Sequence, residues 1–314
     1  MRTPLGLYTH PDCLLHDAGP GNPERPQRLQ ALTAHLKRTG IWQDLQVLKA
    51  QPASAADLEM VHTREYLDRV ESQFAAGENF VDSADANGNR ETFAATRLAS
   101  GAALDAAEQI LAGTLQRAFV MLRPPGHHAE VDRAMGFCFS NHVALAARSA
   151  IQQHGLERVA IVDFDVHHGN GTQHIFERDP SVFYASLHQS PHYPGTGAKE
   201  ERGLGDGEGT TLNCPMPAGS GDGAWQAALE ETVLPALDKF EPQLLLISAG
   251  FDAHQRDPLS ETLLTSEAFG RMTRSLLDLA KQHAKGRVVS ILEGGYDLEG
   301  LSEGVAAHLG ELTA

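Results

Sequence analysis

Val159-Ala160-Ile161-Val162-Asp163-Phe164-Asp165-Val166-His167-His168-Gly169-Asn170-Gly171 is the stretch on which the fold turns. It opens as an apolar run, Val159 to Val162, of the kind that forms a strand buried on both faces. It then becomes acidic, gains two imidazoles and breaks at glycine. Side chains alternate along a strand, so Asp163, Asp165 and His167 are expected to project the same way. A strand end with solvated charges is the plainer account. Two carboxylates and an imidazole on one face are nevertheless costly unless a cation neutralises them. The stretch therefore points to a metal site.

Outward from it, the same kind of run recurs. Ala118 to Leu122 leads into Arg123-Pro124-Pro125-Gly126-His127-His128, and Val182 to Ser186 follows the central stretch. Leu244 to Ser248 ends in Ala249-Gly250-Phe251-Asp252, and Val288 to Leu292 ends in Glu293-Gly294-Gly295-Tyr296. A short strand is expected near Leu7 and Tyr8. Helical spacing predicts helices from Pro23 or Glu24 to about Arg38, stopped by Gly40, and from about Glu91 to Leu111. Ser54 with Asp57, and Thr63, resemble helix caps. Further helices are expected from Ser140 or Asn141 to about His154, from Thr172 to Arg178, and from Asp222 as cap through Leu237. One more starts with Ser266 as cap, and a last one closes the chain. Gly77 to Asn89 and Gln189 to Gly209 read as loops. Strands alternating with helices indicate an α/β fold, an open and mostly parallel sheet with helices on both faces. No repeat or linker divides the chain, so residues 1–314 are expected to form one domain.

The 314 residues are enough for one large α/β domain or two small ones, and 41% hydrophobic content suits a large core. Forty-one acidic against 25 basic residues give a net charge of −16. That disfavours nonspecific binding to nucleic acid or to an anionic membrane. Three scattered cysteines, Cys13, Cys138 and Cys214, make no disulfide framework. No secretory leader is evident and no stretch approaches the ~20 apolar residues of a membrane span. A reducing cytoplasm is the expected compartment.

Open parallel sheets bind ligands outside the carboxyl ends of their strands, so the residues ending these runs are expected to converge. Asp165, His167 and Asp252 would supply three N/O ligands and leave a coordination position open, the plan of a catalytic zinc site. Read alone, Asp252 is as good a helix cap in the loop before Asp257-Pro258. His127 and His128 would form a base and acid pair beside the metal, although adjacent histidines also arise by chance. Tyr296 would donate a hydrogen bond to a polarised carbonyl. A tyrosine in that place is more often a packed residue with a wet hydroxyl.

Taken together the motifs resemble the zinc-dependent histone deacetylase family, on an arginase-like α/β fold, over nearly the whole chain. They are Arg123-Pro124-Pro125-Gly126-His127-His128-Ala129, Gly136-Phe137-Cys138-Phe139-Ser140-Asn141 and Val162 to Gly171. Ser186-Leu187-His188, Tyr193-Pro194-Gly195-Thr196-Gly197, Ser248-Ala249-Gly250-Phe251-Asp252 and Glu293-Gly294-Gly295-Tyr296 follow in the family's order. The Pro-Pro-Gly-His-His loop and the Gly-Gly-Tyr are most similar to the class II and bacterial amidohydrolase branch.

The resemblance implies one catalytic Zn²⁺ per chain on Asp165, His167 and Asp252, with His127 and His128 together as the general base and acid pair and Tyr296 polarising the acyl oxygen. It implies that Asp163 orients His127. It also implies a K⁺ ion held by Asp163, Asp165, the His167 carbonyl, Ser186 and the Leu187 carbonyl. Asn170 stands where some relatives carry aspartate, and a neutral partner stabilises a charged His128 less. Phe137 and Tyr193 match the aromatic walls of a channel for an acyl-lysine stem, with Gly136 and Leu259 among the substrate-binding positions. Tyr193 replaces the commoner phenylalanine and makes the channel slightly more polar. Asp85 matches the rim aspartate that holds substrate backbone, with Asp82 as its rival.

The implied reaction is metal-assisted amide hydrolysis. Acyl-lysine in a peptide or protein is the favoured substrate, and an acetylated polyamine or other small acyl-amine is the alternative. Polyamine-selective relatives carry an acidic gatekeeper where this chain has Leu259, and Asn22-Pro23-Glu24-Arg25-Pro26 lacks the insertion that narrows one such entrance. A dinuclear ureohydrolase of the same fold and a catalytically silent binding protein are the remaining classes. An Asp-His-Asp site also accepts Fe²⁺ or Co²⁺.

Overall fold

The apolar runs assemble into one open sheet in the computed structural model, which describes residues 5–314. Its strands are β1 (Leu5–Thr9), β2 (Leu45–Lys49), β3 (Arg117–Val120), β4 (Val159–Asp163), β5 (Val182–Gln189), β6 (Thr211–Met216), β7 (Leu244–Ala249) and β8 (Val288–Leu292). They lie in the order β2-β1-β3-β8-β7-β4-β5-β6, and every pairing is parallel. The helices are α1 (Gln27–Thr39), α2 (Ala55–Leu58), α3 (Arg64–Ala76), α4 (Thr92–Leu111) and α5 (His142–Gln152). They continue with α6 (Asn170–Phe176), α7 (Asp222–Ala228), α8 (Leu234–Phe240), α9 (Ser266–His283) and α10 (Leu298–Leu312). No described helix is long and apolar enough to cross a membrane.

The central strands are buried from end to end, which is why they read as unbroken Val, Ile and Leu rather than as alternation. Small residues on α4, Ala99, Ala102, Ala103 and Ala106, are buried where it packs on α5 and β3. Several expected caps are present. Ser54 and Asp57 make a reciprocal capping box, Thr63 accepts from Tyr66 N, and Asn141 accepts from Ala144 N.

Other expectations need correction. β2 and β6, the two edge strands, have no apolar run: β2 is largely exposed, and β6 carries Thr211, Asn213 and Pro215. Asp222 is the first residue of α7 rather than its cap, because its carboxylate is taken by Thr265 and Arg271. A π-helical turn, Leu229–Val233, then separates α7 from α8 within the stretch expected to be one helix. Thr265, not Ser266, precedes α9, and the Ser266 hydroxyl is engaged with Glu303 and His254.

The four central strands, β3, β8, β7 and β4, point their carboxyl ends at one place. The chain crosses from β3 over two strand positions to β4 and returns later to fill the gap with β7 and β8. This gathers residues some 170 positions apart at the rim of the sheet.

Candidate active site

Asp163 ends β4, and the chain beyond it is no longer extended. Asp165 N donates to Asp163 Oδ1 (3.1 Å), and His167 N donates to Asp165 Oδ1 (2.9 Å). Each aspartate thus turns the backbone two residues on. The expected common direction of Asp163, Asp165 and His167 is therefore made by successive turns rather than by strand alternation.

Asp165, His167 and Asp252 have ligand atoms within 4.8 Å of one another, and all three residues are buried. His167 Nδ1 is 3.1 Å from Asp165 Oδ1 and 3.1 Å from Asp252 Oδ2. Asp252 caps no helix; its Oδ1 accepts from Val166 N (2.9 Å). Gly294 N donates to Asp165 Oδ2 (2.8 Å). The backbone presses so close that a Cβ on Gly294 would lie 2.0 Å from Asp252 Oδ2, and one on Gly250 2.1 Å from Asp165 Oδ2. Burial disfavours a charged His167, yet Asp165 and Asp252 overcome it and hold the imidazole up at about 10. Positive charge is thus demanded where the three donors meet. One nitrogen and two carboxylate oxygens are the donor types a divalent zinc-like cation takes, and the residues fit such an ion.

The paired histidines have opposite environments. His127 Nδ1 bonds Asp163 Oδ2 (2.9 Å), which also accepts from the Tyr184 hydroxyl (3.1 Å). Burial opposes its charge, but Asp163 and Asp165 raise His127 to about 10. His128 lies 4.0 Å away between ring centroids, and its Nδ1 bonds Asn170 Oδ1 (2.8 Å). Burial, then the neighbouring His127 and His167, hold His128 well below the ordinary histidine value. Two titratable groups pushed apart in this way can divide acid and base roles.

Above them opens a cavity of about 250 Å³ reached by His128, His167 and Tyr296. Its walls include Phe137, edge-on to Tyr296 at 5.8 Å, and Tyr193, edge-on to His128 at 5.1 Å. Gly136 and Phe137 both take positive φ, 55° and 65°. The second is a strained conformation for a non-glycine residue, and such strain collects at functional sites. Asp85 lines this cavity and accepts from the Tyr193 hydroxyl (2.7 Å) and from Ser83. Its rival Asp82 is instead paired with Arg69 and accepts from Ala134 N. Leu259 is at the cavity, and its carbonyl bonds His192 Nε2 (2.8 Å). His192 was not singled out by sequence; it stacks on His167 at 4.9 Å. Ser186 is the register partner of Asp163 on the neighbouring strand, and Leu187 follows it, buried.

The residues that hold these groups from behind include several, Glu293, Asp257, Glu24 and Arg123, that sit in the quoted motifs without a role assigned to them. Glu293 accepts from the backbone of Gly126 (2.6 Å) and His127 (3.1 Å), tying β8 to the histidine loop. Asp257 accepts from Tyr296 N (2.6 Å). Arg28, fully buried on α1, donates to the carbonyls of Gly295 (2.7 Å) and Glu293 (2.5 Å) and lies 4.9 Å over the Tyr296 ring. Glu24 joins Arg28 to Arg123.

Comparison with known proteins places this geometry in a family. The histone deacetylase domain model matches residues 22–312. A probable deacetylase of Archaeoglobus fulgidus is 40% identical over 94% of this chain and 82% of its own length. Human polyamine deacetylase HDAC10 is 38% identical over 95% of this chain and 44% of its own length. The crystal structure of the HDA15 HD domain superimposes with a TM-score of 0.93 at 40% identity, covering 99% of this chain and 89% of that one. With its parallel sheet, its buried Asp-His-Asp group and these matches, the chain belongs to the histone deacetylase family.

Proposed function

We propose that this hydrolytic deacetylase removes acetyl or related acyl groups from lysine-type amines, using one zinc ion per chain in a single catalytic domain, residues 1–314. The observation that carries it is the convergence of Asp165, His167 and Asp252 beneath a narrow cavity that also receives His128 and Tyr296. A divalent cation held there would polarise the acyl carbonyl and a water molecule.

The chain's own groups account for the rest. His128, neutral and facing the cavity, accepts a proton as water attacks. His127, held charged by Asp163, donates to the departing amine. The Tyr296 hydroxyl donates to the oxygen that becomes negative. Phe137 and Tyr193 grip the apolar stem of the substrate. Asp163, Asp165 and Ser186, with the carbonyls of His167 and Leu187, would hold a K⁺ ion, which would offset the excess of buried acid. In metal analysis, the purified chain is expected to hold about one zinc ion. Chelation is expected to lower unfolding stability, by about 2.7 kcal/mol relative to ion at 100 times its Kd. Two divalent metal ions per chain would instead indicate a ureohydrolase-type centre.

Substrate choice follows from the mouth of the cavity. An acylpolyamine carries an ammonium beyond the scissile amide, which an acidic group at the mouth would favour. Leu259 offers none; the Asp85 carboxylate lies at the cavity but is held towards Tyr193 and Ser83 by their hydroxyls. On the other side of Tyr296, residues between Gly19 and Pro26 line a second groove of about 530 Å³. That leaves room for a peptide. Acetyl-lysine peptides are therefore expected to exceed acetylspermidine and acetylputrescine in kcat/KM, measured on zinc-loaded enzyme. Faster turnover of the acylpolyamines reverses the assignment.

A further inference from the structure

Behind His128 a hydrogen-bond chain runs outward through groups that take no direct part in the proposed reaction. Asn170 Oδ1 receives His128 Nδ1, while Asn170 Nδ2 donates to Glu130 Oε1 (2.5 Å). The same Nδ2 also faces the His128 carbonyl (3.4 Å) and Met135 Sδ (3.3 Å). All three neighbours of the nitrogen are acceptors. His174, one turn beyond Asn170 on α6, reaches the same Glu130 oxygen through Nδ1 (2.8 Å). The Glu130 backbone is also fixed, its carbonyl bonded to His62 Nδ1 (2.9 Å).

An amide can be turned over with little change of shape, but a carboxylate only accepts. With Glu130 against it, Asn170 must present its NH₂ outward and its oxygen to His128. An oxygen there accepts only from an Nδ1 that carries a proton. The Nε2 lone pair is then the one left to face the cavity, which is the form a base needs. Were the amide reversed, its NH₂ would meet Nδ1, and the neutral ring would carry its proton on Nε2.

We propose that Glu130 is a positioning residue that fixes the tautomer of His128 through the side-chain amide of Asn170. The proposal rests on His128 serving as the base in the reaction described above. Glu130 touches neither substrate nor the Asp165-His167-Asp252 group, and it acts through the orientation of one amide.

The test uses zinc-loaded full-length enzyme labelled with ¹⁵N-histidine, with the His128 resonances assigned by a His128→Ala sample. Wild type is expected to show a protonated Nδ1 and a free Nε2 on the neutral ring. Glu130→Gln keeps the shape but offers Asn170 a donor as readily as an acceptor. It is expected to mix the two tautomers and to lower kcat by about 2–5-fold, in proportion to the rings that lose the free Nε2, with KM little changed. Zinc content and circular dichroism should match wild type. Asn170→Asp presents an acceptor whichever way it turns, so Glu130→Gln/Asn170→Asp is expected to recover most of the lost kcat. Asn170→Asp alone opposes two carboxylates and should be slower than the double variant. An unchanged His128 tautomer in Glu130→Gln overturns the proposal, as does a double variant whose losses simply multiply. An enzyme that hydrolyses no acyl amide would sink the functional assignment, while the tautomer measurement would still decide the role of Glu130.

Discussion

Tyr296→Phe is expected to lower kcat by about 10²–10³-fold, the cost of one lost oxyanion donor, or about 2.7–4 kcal/mol. The size of the effect follows from how firmly the phenol is placed. Its backbone nitrogen is anchored on Asp257 Oδ2 (2.6 Å), its ring meets Phe137 edge-on, and Arg28 lies across its face. Burial raises the phenol well above its ordinary value, and Arg28 opposes this only in part. The hydroxyl therefore stays protonated and can donate throughout the working pH range. A donor that is already oriented spends little on reorganisation as charge develops on the acyl oxygen. Phenylalanine keeps the ring contacts, so zinc content and KM should stay close to wild type while kcat falls. Equal turnover by the two proteins, measured on an acetyl-lysine peptide, would remove Tyr296 from the chemistry.

How much of this was legible beforehand depends on what kind of burial each residue has. Val159 to Val162 announce their strand because both faces are covered, and a doubly covered strand must be apolar throughout. The polar residues just beyond such runs are informative for the same reason. Asp165, His167 and Asp252 break apolar context where the fold leaves ligand-binding crevices. The edge strands lack that contrast: β2 is largely exposed and β6 mixes polar residues and proline. Glu24, Arg28, Glu130 and Asp257 are harder still. Each lies in a loop or polar segment where charge normally means solvent, and each earns its place from partners far along the chain. Arg28 meets Gly295 across 267 positions, and Arg123 meets Glu24 across 99. No spacing within one segment encodes such a pair. His192 carries no sequence signal of its own, since its stacking on His167 exists only in three dimensions.

The buried charge cluster behind Tyr296 sets the second large effect. Glu24 is fully buried, accepts from Arg123 Nε (2.6 Å) and Nη2 (2.5 Å) and from Arg28 Nη1 (3.1 Å), and has His16 Nε2 at 3.0 Å. Removing one partner of such a cluster leaves uncompensated charge in a low dielectric, at a cost of about 3–5 kcal/mol. Glu24→Gln leaves both guanidinium groups buried without their anion, so its urea midpoint is expected to fall by a corresponding amount. Activity should fall with it, because Arg28 is the link between Glu24 and the carbonyls of Glu293 and Gly295 that set the Tyr296 loop. The pH dependence gives an independent check. Burial alone would raise the Glu24 carboxyl, but Arg123, His16 and Arg28 overcome it and hold it well below its ordinary 4.5. A carboxyl depressed on folding contributes stability that is complete above its unfolded value and is lost as pH drops towards its folded one. The stability gap between wild type and Glu24→Gln is therefore expected to be constant above pH 4.5 and to narrow below it. A gap that persists unchanged at lower pH would mean that shape rather than charge fixes Glu24 in place.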